Sequence, residues 1–431
     1  MKAQIIKKKK HTGRKLVLLN NEIKHDTLFK STSKASVKLA HFNDYMEKPD
    51  RIKQAFTEGD GIYFGNLNVA ILNYNKEEEI SFMKKGMEQK EILLTEPERY
   101  VYEINNYDYL RGYRDGIDAL FENYDKLEAE TELHDQVLSE IRRNYIDDDL
   151  SSWGIKATKV LESPYSGNNI NIAILDTGLF KDHVDLKGRN ITTKNFVSPG
   201  SANDGDGHGS HCTGVACGFN SNKGMRYGVA YNSNIFCGKA LDDEGEGTDG
   251  TILAGIEWAI KNKCRIISLS LGAACDITDT YSQTYENVAK RAMNSGNLII
   301  AAAGNESNRP DYLAPVSHPA NCPSIMAVGA LDNHLRIGFF SSRSLNKDGG
   351  QVDLVAPGVS VFSMINQQNK HEKWDGTSMA TPFVSGIAGL YLEQNIDATP
   401  WDIWTLLTQN AMRLKLSSVD AGSGLVQAPL D

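Results

Sequence analysis

Ile170-Asn171-Ile172-Ala173-Ile174-Leu175-Asp176-Thr177-Gly178 is a short apolar run closed by an acid and a glycine. An apolar run of this length, rich in β-branched residues, reads as a strand covered on both faces, the usual state of a parallel strand. Runs of the same texture recur at 234–238, 265–271, 297–303 and 324–328, with helical segments such as 250–261 and 284–295 between them. Buried strands alternating with helices predict an α/β fold, a doubly wound and mainly parallel sheet, from about Trp153 onward. Such sheets place their sites beyond the carboxyl ends of the strands, where Asp176 falls. The plainer reading is an aspartate that caps the turn after its strand.

The chain has 431 residues, of which 40% are hydrophobic and 23% charged. That length allows two or three domains, and the balance suffices for a sizeable core. A net charge of −9 argues against nucleic acid or an anionic membrane as partner. The uninterrupted apolar run 298–303 falls far short of a spanning helix. The basic start (Lys2, Lys7, Lys8, Lys9, Lys10, Arg14, Lys15) is followed only by the apolar stretch 16–19, too short for a secretory core. The expected location is therefore the cytosol, with export by another route left open. The six cysteines have no C-x-x-C pair and are expected to be free thiols.

Composition divides the chain further. Residues 1–14 read as a basic tail. Residues 15–104 carry strand-like runs at 15–19, 68–73, 92–95 and 100–104, with a helix expected over 76–87: a small α+β domain. Residues 105–150 hold 13 acidic and 5 basic residues and an apolar stripe, so they read as an acidic helical linker. Residues 151–431 form the α/β domain.

Two more segments stand beside Asp176. In Gly207-His208-Gly209-Ser210-His211-Cys212, glycines flank an imidazole at the start of an expected helix. In Asp375-Gly376-Thr377-Ser378-Met379-Ala380-Thr381-Pro382, a serine opens a buried helix, whose free N–H groups and dipole suit a nucleophile that generates an oxyanion. A serine hydroxyl needs a base, and the base needs an orienting acid. The chain supplies these in the order Asp, His, Ser, an order known for subtilisin.

These segments, with Ala302-Ala303-Gly304-Asn305-Glu306, resemble the subtilisin-like serine protease family over residues 153–428. The resemblance implies a serine endopeptidase that needs no cofactor for its chemistry. Ser378 would attack the scissile carbonyl, His208 would carry its proton, Asp176 would hold the tautomer and Asn305 would stabilise the oxyanion. It further implies that a polypeptide substrate binds as an extended strand between two edges: Ser270, Leu271 and Gly272 with Ala303 and Gly304 on one side, Gly245, Glu246 and Gly247 on the other, and Leu241 as a wall. Asp242, Asp243, Glu244, Glu246 and Glu306 make the rim acidic, which favours basic side chains near the cleaved bond. Cys212 should pack beside the active-site helix and His211 should be structural. Tyr231 stands where proline is usual, and Phe383 where histidine is frequent.

Structural Ca2+ is common in the family, and Asp185 matches a recurrent ligand position; the loop 220–224 resembles a second. The domain 15–104 resembles the family's inhibitory propeptide, an intramolecular partner that leaves its C-terminal end in the cleft. Cleavage is expected near Tyr107, at 143–152, or nowhere. Three rival readings stand beside this one. They are a zinc site at His208-x-x-His211-Cys212, a silent peptide-binding module, and a protease activated only in trans by a partner.

Overall fold

A computed structural model describes residues 9–20, 37–45, 59–73, 77–104, 145–197, 200–219 and 224–431. The N-terminal part contains β1 (His11–Leu19), β2 (Leu39–His41), β3 (Gly61–Phe64), β4 (Val69–Leu72), α1 (Glu77–Glu88) and β5 (Ile92–Glu103). The alternation in β1 explains how this small sheet is used. Val17 and Leu19 pack with Ala70, Leu72, Phe82, Met83 and Ile92 beneath α1. Leu16 and Leu18 face the other way and join Ile62, Phe64, Val69 and Ile71 in the core shared with the rest of the chain. The sheet is thus buried on both faces, one of them by the α/β body.

Two boundaries differ from the sequence reading. β1 begins at His11, inside the expected basic tail, because its ladder to β5 continues past the apolar residues and Arg14 pairs with the buried Glu98 of β5 at 2.5 Å. The two strands expected at 92–95 and 100–104 are the single strand β5. Pro97, which has no N–H to give, sits at the register shift between His11 and Lys15. Most of the expected linker, 105–144, lies outside the described residues.

The body is a seven-stranded parallel sheet. Its strands are β6 (Asn171–Asp176), β7 (Ile191–Asn195), β8 (Asn234–Lys239), β10 (Ile266–Leu269), β12 (Leu298–Ala302), β13 (Met326–Leu331) and β14 (Leu354–Pro357). The spatial order is β14-β13-β12-β10-β6-β8-β7. The chain leaves β6 for the far edge, returns through β8, then crosses β6 to β10 and steps outward. The carboxyl ends of β6 and β10 therefore flank the point where the winding reverses, the crevice such sheets use for their sites.

Short edge strands β9 (Glu246–Thr248) and β11 (Leu271–Gly272) lie at this end, with the antiparallel hairpin of β15 (Val361–Met364) and β16 (His371–Trp374). The helices that matter are α2 (His208–Cys217), α3 (Asp249–Lys261), α4 (Gln283–Asn294), α5 (Thr377–Gln394) and, at the periphery, α6 (Pro400–Gln409). Every residue of α2 is buried, so no face of it meets solvent.

Carboxylates fasten the N-terminal domain to the body. Glu96 accepts hydrogen bonds from Ser282 Oγ (2.6 Å), Gln283 N (3.1 Å) and Thr284 N (3.2 Å), at the start of α4. Glu98 accepts from Gly250 N (3.1 Å) at the start of α3. Both satisfy helix N–H groups that have no partner within their helices and lie at the positive dipole end. In return, Glu257 of α3 accepts from Asn66 N and Leu67 N.

Candidate active site

Asp176 is the last residue of β6 and His208 the first of α2. Their side chains meet at 2.7 Å, Oδ1 to Nδ1. Thr177 locks this geometry: its hydroxyl donates to Asp204 (2.9 Å) and accepts from Gly209 N (2.8 Å). A β-carbon on Gly209 would lie 2.3 Å from Gly178 O, so only glycine permits this contact of strand end and helix start. Asp204 also accepts from Gly207 N, Ser210 N and Ser210 Oγ in the first turn of α2. Sequence reasoning missed Asp204; an acid three residues before the helix-capping Gly207 was the available signal.

Burial alone would depress the His208 pKa, but Asp176 and Cys212 together outweigh it and the imidazole is pushed well above its ordinary value. Its Nε2 is buried without a hydrogen-bond partner. Cys212 gives its thiol to Ser378 O (3.5 Å), and burial pushes that thiol up to about 11, so it stays protonated packing. His211 lies flat on Trp374 (4.7 Å between centroids) with Nε2 on Val361 O (3.1 Å). Burial and the His208 charge push it down to about 3, so it is neutral and structural. His211 is thus engaged away from Cys212, and the zinc reading of that motif loses its second nitrogen. All six cysteines are free.

Ser378 is the second residue of α5. The preceding Gly376 has φ +154°, and a β-carbon there would lie 3.1 Å from Asn305 Nδ2. Pro382 lacks an N–H, which leaves Ser378 O without its helical donor. The Ser270 hydroxyl takes that place at 2.8 Å. Asn305 is oriented through Oδ1 by Thr377 N and Thr377 Oγ1, both at 2.9 Å, and Gly304 N donates to the same threonine hydroxyl.

The cleft holds the end of β5. Tyr102 and Glu103 pair with Gly272 and Leu271 on one side; Tyr100, Val101 and Tyr102 pair with Thr248, Gly247 and Glu246 on the other. Glu103 N donates to Gly245 O at 2.9 Å. Leu241 is buried and bridges Gly247; Ala303 is buried beside Gly304. The carbonyl of Ile104 receives Asn305 Nδ2 at 2.8 Å and lies 2.9 Å from Ser378 Oγ, which is 3.0 Å from Ser270 O. Ser378 and His208 are not hydrogen-bonded to each other in this arrangement.

Ile104 and Val101 are buried apolar side chains, where the acidic rim suggested basic ones. Several rim acids are engaged locally: Asp243 binds Lys239, Asp242 accepts from Glu244 N and Glu246 N, and Glu306 accepts from Ser317 and Ser342. Glu103 lies 4.0 Å from His208 Nδ1. Burial, with Asp206 and Asp176 nearby, pushes its carboxyl up to about 7 against the pull of His208.

Asp185 does not fit a calcium site. Its Oδ2 accepts from Tyr227 OH (2.6 Å) and His371 Nε2 (2.7 Å), with His183 Nδ1 at 3.7 Å. Calcium takes six to eight oxygen ligands, and two imidazoles in this cluster replace oxygens with nitrogens. Residues 220–223 of the other expected calcium loop lie outside the described residues.

A parallel α/β sheet with an acid, an imidazole, a helix-start serine and a carbonyl-binding amide at its carboxyl end defines the class of a serine hydrolase. The model of the subtilase family matches residues 167–426, and the chain belongs to that family. It is a serine endopeptidase, and its substrate is polypeptide. It is 35% identical to subtilisin DY of Bacillus licheniformis over 63% of this chain and 90% of that one. It is 33% identical to the major intracellular serine protease of Bacillus subtilis (strain 168), over 63% and 85%. Among solved structures it resembles sphericase, with TM-score 0.56 and 29% identity over 64% of this chain and 98% of that one. A cold-adapted subtilisin-like serine proteinase gives TM-score 0.53 at 29% identity, over 62% and 92%. Subtilases need no cofactor for their chemistry.

Proposed function

We propose that Asp176, His208 and Ser378 form the catalytic triad, and that residues 15–104 restrain it as a built-in inhibitor until the chain cuts itself after Ile104. The observation that carries this reading is the Ile104 carbonyl. Its oxygen is within hydrogen-bond distance of both Asn305 Nδ2 and Ser378 Oγ, while residues 100–103 are zipped between the two edge strands. A peptide bound by strand addition on both sides is held in register by its own backbone.

Each role follows from the local chemistry. Ser378 Oγ attacks the carbonyl carbon as its proton passes to His208 Nε2, a buried ring nitrogen with no other partner. Asp176 keeps the proton on Nδ1 and stabilises the imidazolium. Asn305, fixed by Thr377, meets the charge that develops on the carbonyl oxygen. His208 then protonates the leaving amine. The acidic stretch 105–150 links inhibitor and protease, and the body spans 151–431.

Labelling tests the triad. A fluorophosphonate probe should modify Ser378 once the N-terminal domain has been detached, and should fail on folded His208→Ala protein treated in the same way. No label on Ser378 in the detached wild type would contradict the assignment.

A further inference from the structure

The chemistry that excludes calcium at Asp185 favours a different ion. We infer that His183 Nδ1, the Asp185 carboxylate and His371 Nε2 form a site for a divalent first-row transition ion, zinc being the best fit. The three donor atoms lie within 4.8 Å of one another. Tetrahedral zinc at ~2.0–2.1 Å from its ligands holds them ~3.3 Å apart. The observed Asp185 Oδ2 distances, 2.7 Å to His371 Nε2 and 3.7 Å to His183 Nδ1, bracket that spacing.

The surroundings prepare the donors. His183 Nε2 is spent on Lys370 O at 3.1 Å, which puts its proton there and leaves the Nδ1 lone pair on the cluster side. That lone pair now accepts only from Asp185 N, at 3.2 Å. The His371 ring is stacked on Phe362, 5.0 Å between centroids and 10° from parallel, and meets His183 edge-on at 5.1 Å. The Tyr227 hydroxyl donates to the same carboxylate oxygen, Asp185 Oδ2, at 2.6 Å and orients it. His183 and Asp185 are buried, and the His371 side chain keeps 9% of its surface exposed.

Imidazole and carboxylate donors suit zinc and its neighbours, and three protein ligands leave a position for water. His183 and Asp185 belong to the turn seven to nine residues after Asp176, and His371 opens β16, whose Trp374 stacks on His211. A bound ion would therefore clip the loop after the catalytic strand to the hairpin that leads into Gly376 and Ser378. Without it, His371 donates to Asp185 as now seen; on binding, its proton moves to Nδ1.

The test uses the full chain as Ser378→Ala, without a histidine tag, stripped with a strong chelator. Zinc chloride is titrated against a chromophoric zinc indicator, and thermal unfolding is followed in parallel. The expected result is one zinc per chain and a raised Tm, with affinity falling about 100-fold or more in His371→Gln and in His183→Gln. Circular dichroism matching the parent shows that these variants fold. Cobalt substitution should give the intense visible bands of a tetrahedral site, absent in His371→Gln. Zinc uptake equal in parent and variants, or no uptake with Tm unchanged, overturns the proposal. So does a Tm rise with calcium chloride alone that survives in His371→Gln.

Discussion

Among the described residues, two of the buried imidazole–carboxylate pairs are tuned in opposite directions. His208 and Asp176 meet at 2.7 Å; His318 and Asp249 meet at 2.9 Å. Each histidine is fully enclosed and keeps one ring nitrogen without a partner. Burial depresses both, yet His208 ends well above its ordinary pKa and His318 below it. The difference lies in the neighbours: Cys212 adds to Asp176 in raising His208, whereas the Arg99 charge lowers His318. Asp249 is the first residue of α3, accepts Arg99 N at 2.8 Å and faces the Arg99 guanidinium at 3.6 Å. Its charge is shared with a cation and a helix N-terminus. The outer oxygen of Asp176 has no partner, so its field falls on His208. A short His–Asp distance therefore does not by itself set the imidazole's pKa; the other charges around the pair do.

Substitutions break the comparison in graded fashion. Ser378→Ala or His208→Ala should reduce kcat on the order of 10⁶-fold, the scale known for subtilisin itself, whereas His318→Gln should leave kcat of the detached protease unchanged. Asp176→Asn should cost about 10⁴-fold, while Asp249→Asn should spare kcat and weaken the hold on the N-terminal domain. Asn305→Ala should cost about 10²–10³-fold in kcat, again the range known for a subtilisin, with little change in KM. Peptide hydrolysis by folded variants measures all three.

Glu103 sharpens the contrast through pH. Its carboxyl is raised to about 7 in the cleft against an ordinary value near 4.5, so the bound tail favours the protonated form. The hold of the N-terminal domain is then strongest in acid. It should weaken by up to about tenfold per pH unit as pH rises towards 7, and level off above that. Inhibition of the detached protease by residues 1–104, measured from pH 5 to 8, should show that slope, and Glu103→Gln should flatten it. The smallest effect concerns His318: losing Arg99 with the N-terminal domain should raise its pKa, visible in proton NMR, while His208 stays high.

Much of this was legible in the sequence. Asp176, His208, Asn305 and Ser378 each stand at a strand end or helix start marked by glycines, and local pattern is enough to read such positions. The helices 250–261 and 284–295 were displaced by a single residue at most. What escaped depends on distant partners. β14 and the hairpin of β15 and β16 are short and lack a clear period. β1 was read too short because its polar half is held by backbone pairing with β5. Asp185 was read as a calcium ligand because it matches a recurrent ligand position of the resembled family; His371, 186 residues away, changes the donor set. The seat of Ile104 required the cleft itself, since nothing in 100–104 marks where a strand will meet an amide and a hydroxyl.

The most direct measurement is the intact mass of wild type beside Ser378→Ala. Wild type alone should separate into a fragment ending at Ile104 and one beginning at Asn105, while the variant stays whole. A wild-type cut at another bond, or the same cut in Ser378→Ala, would contradict it.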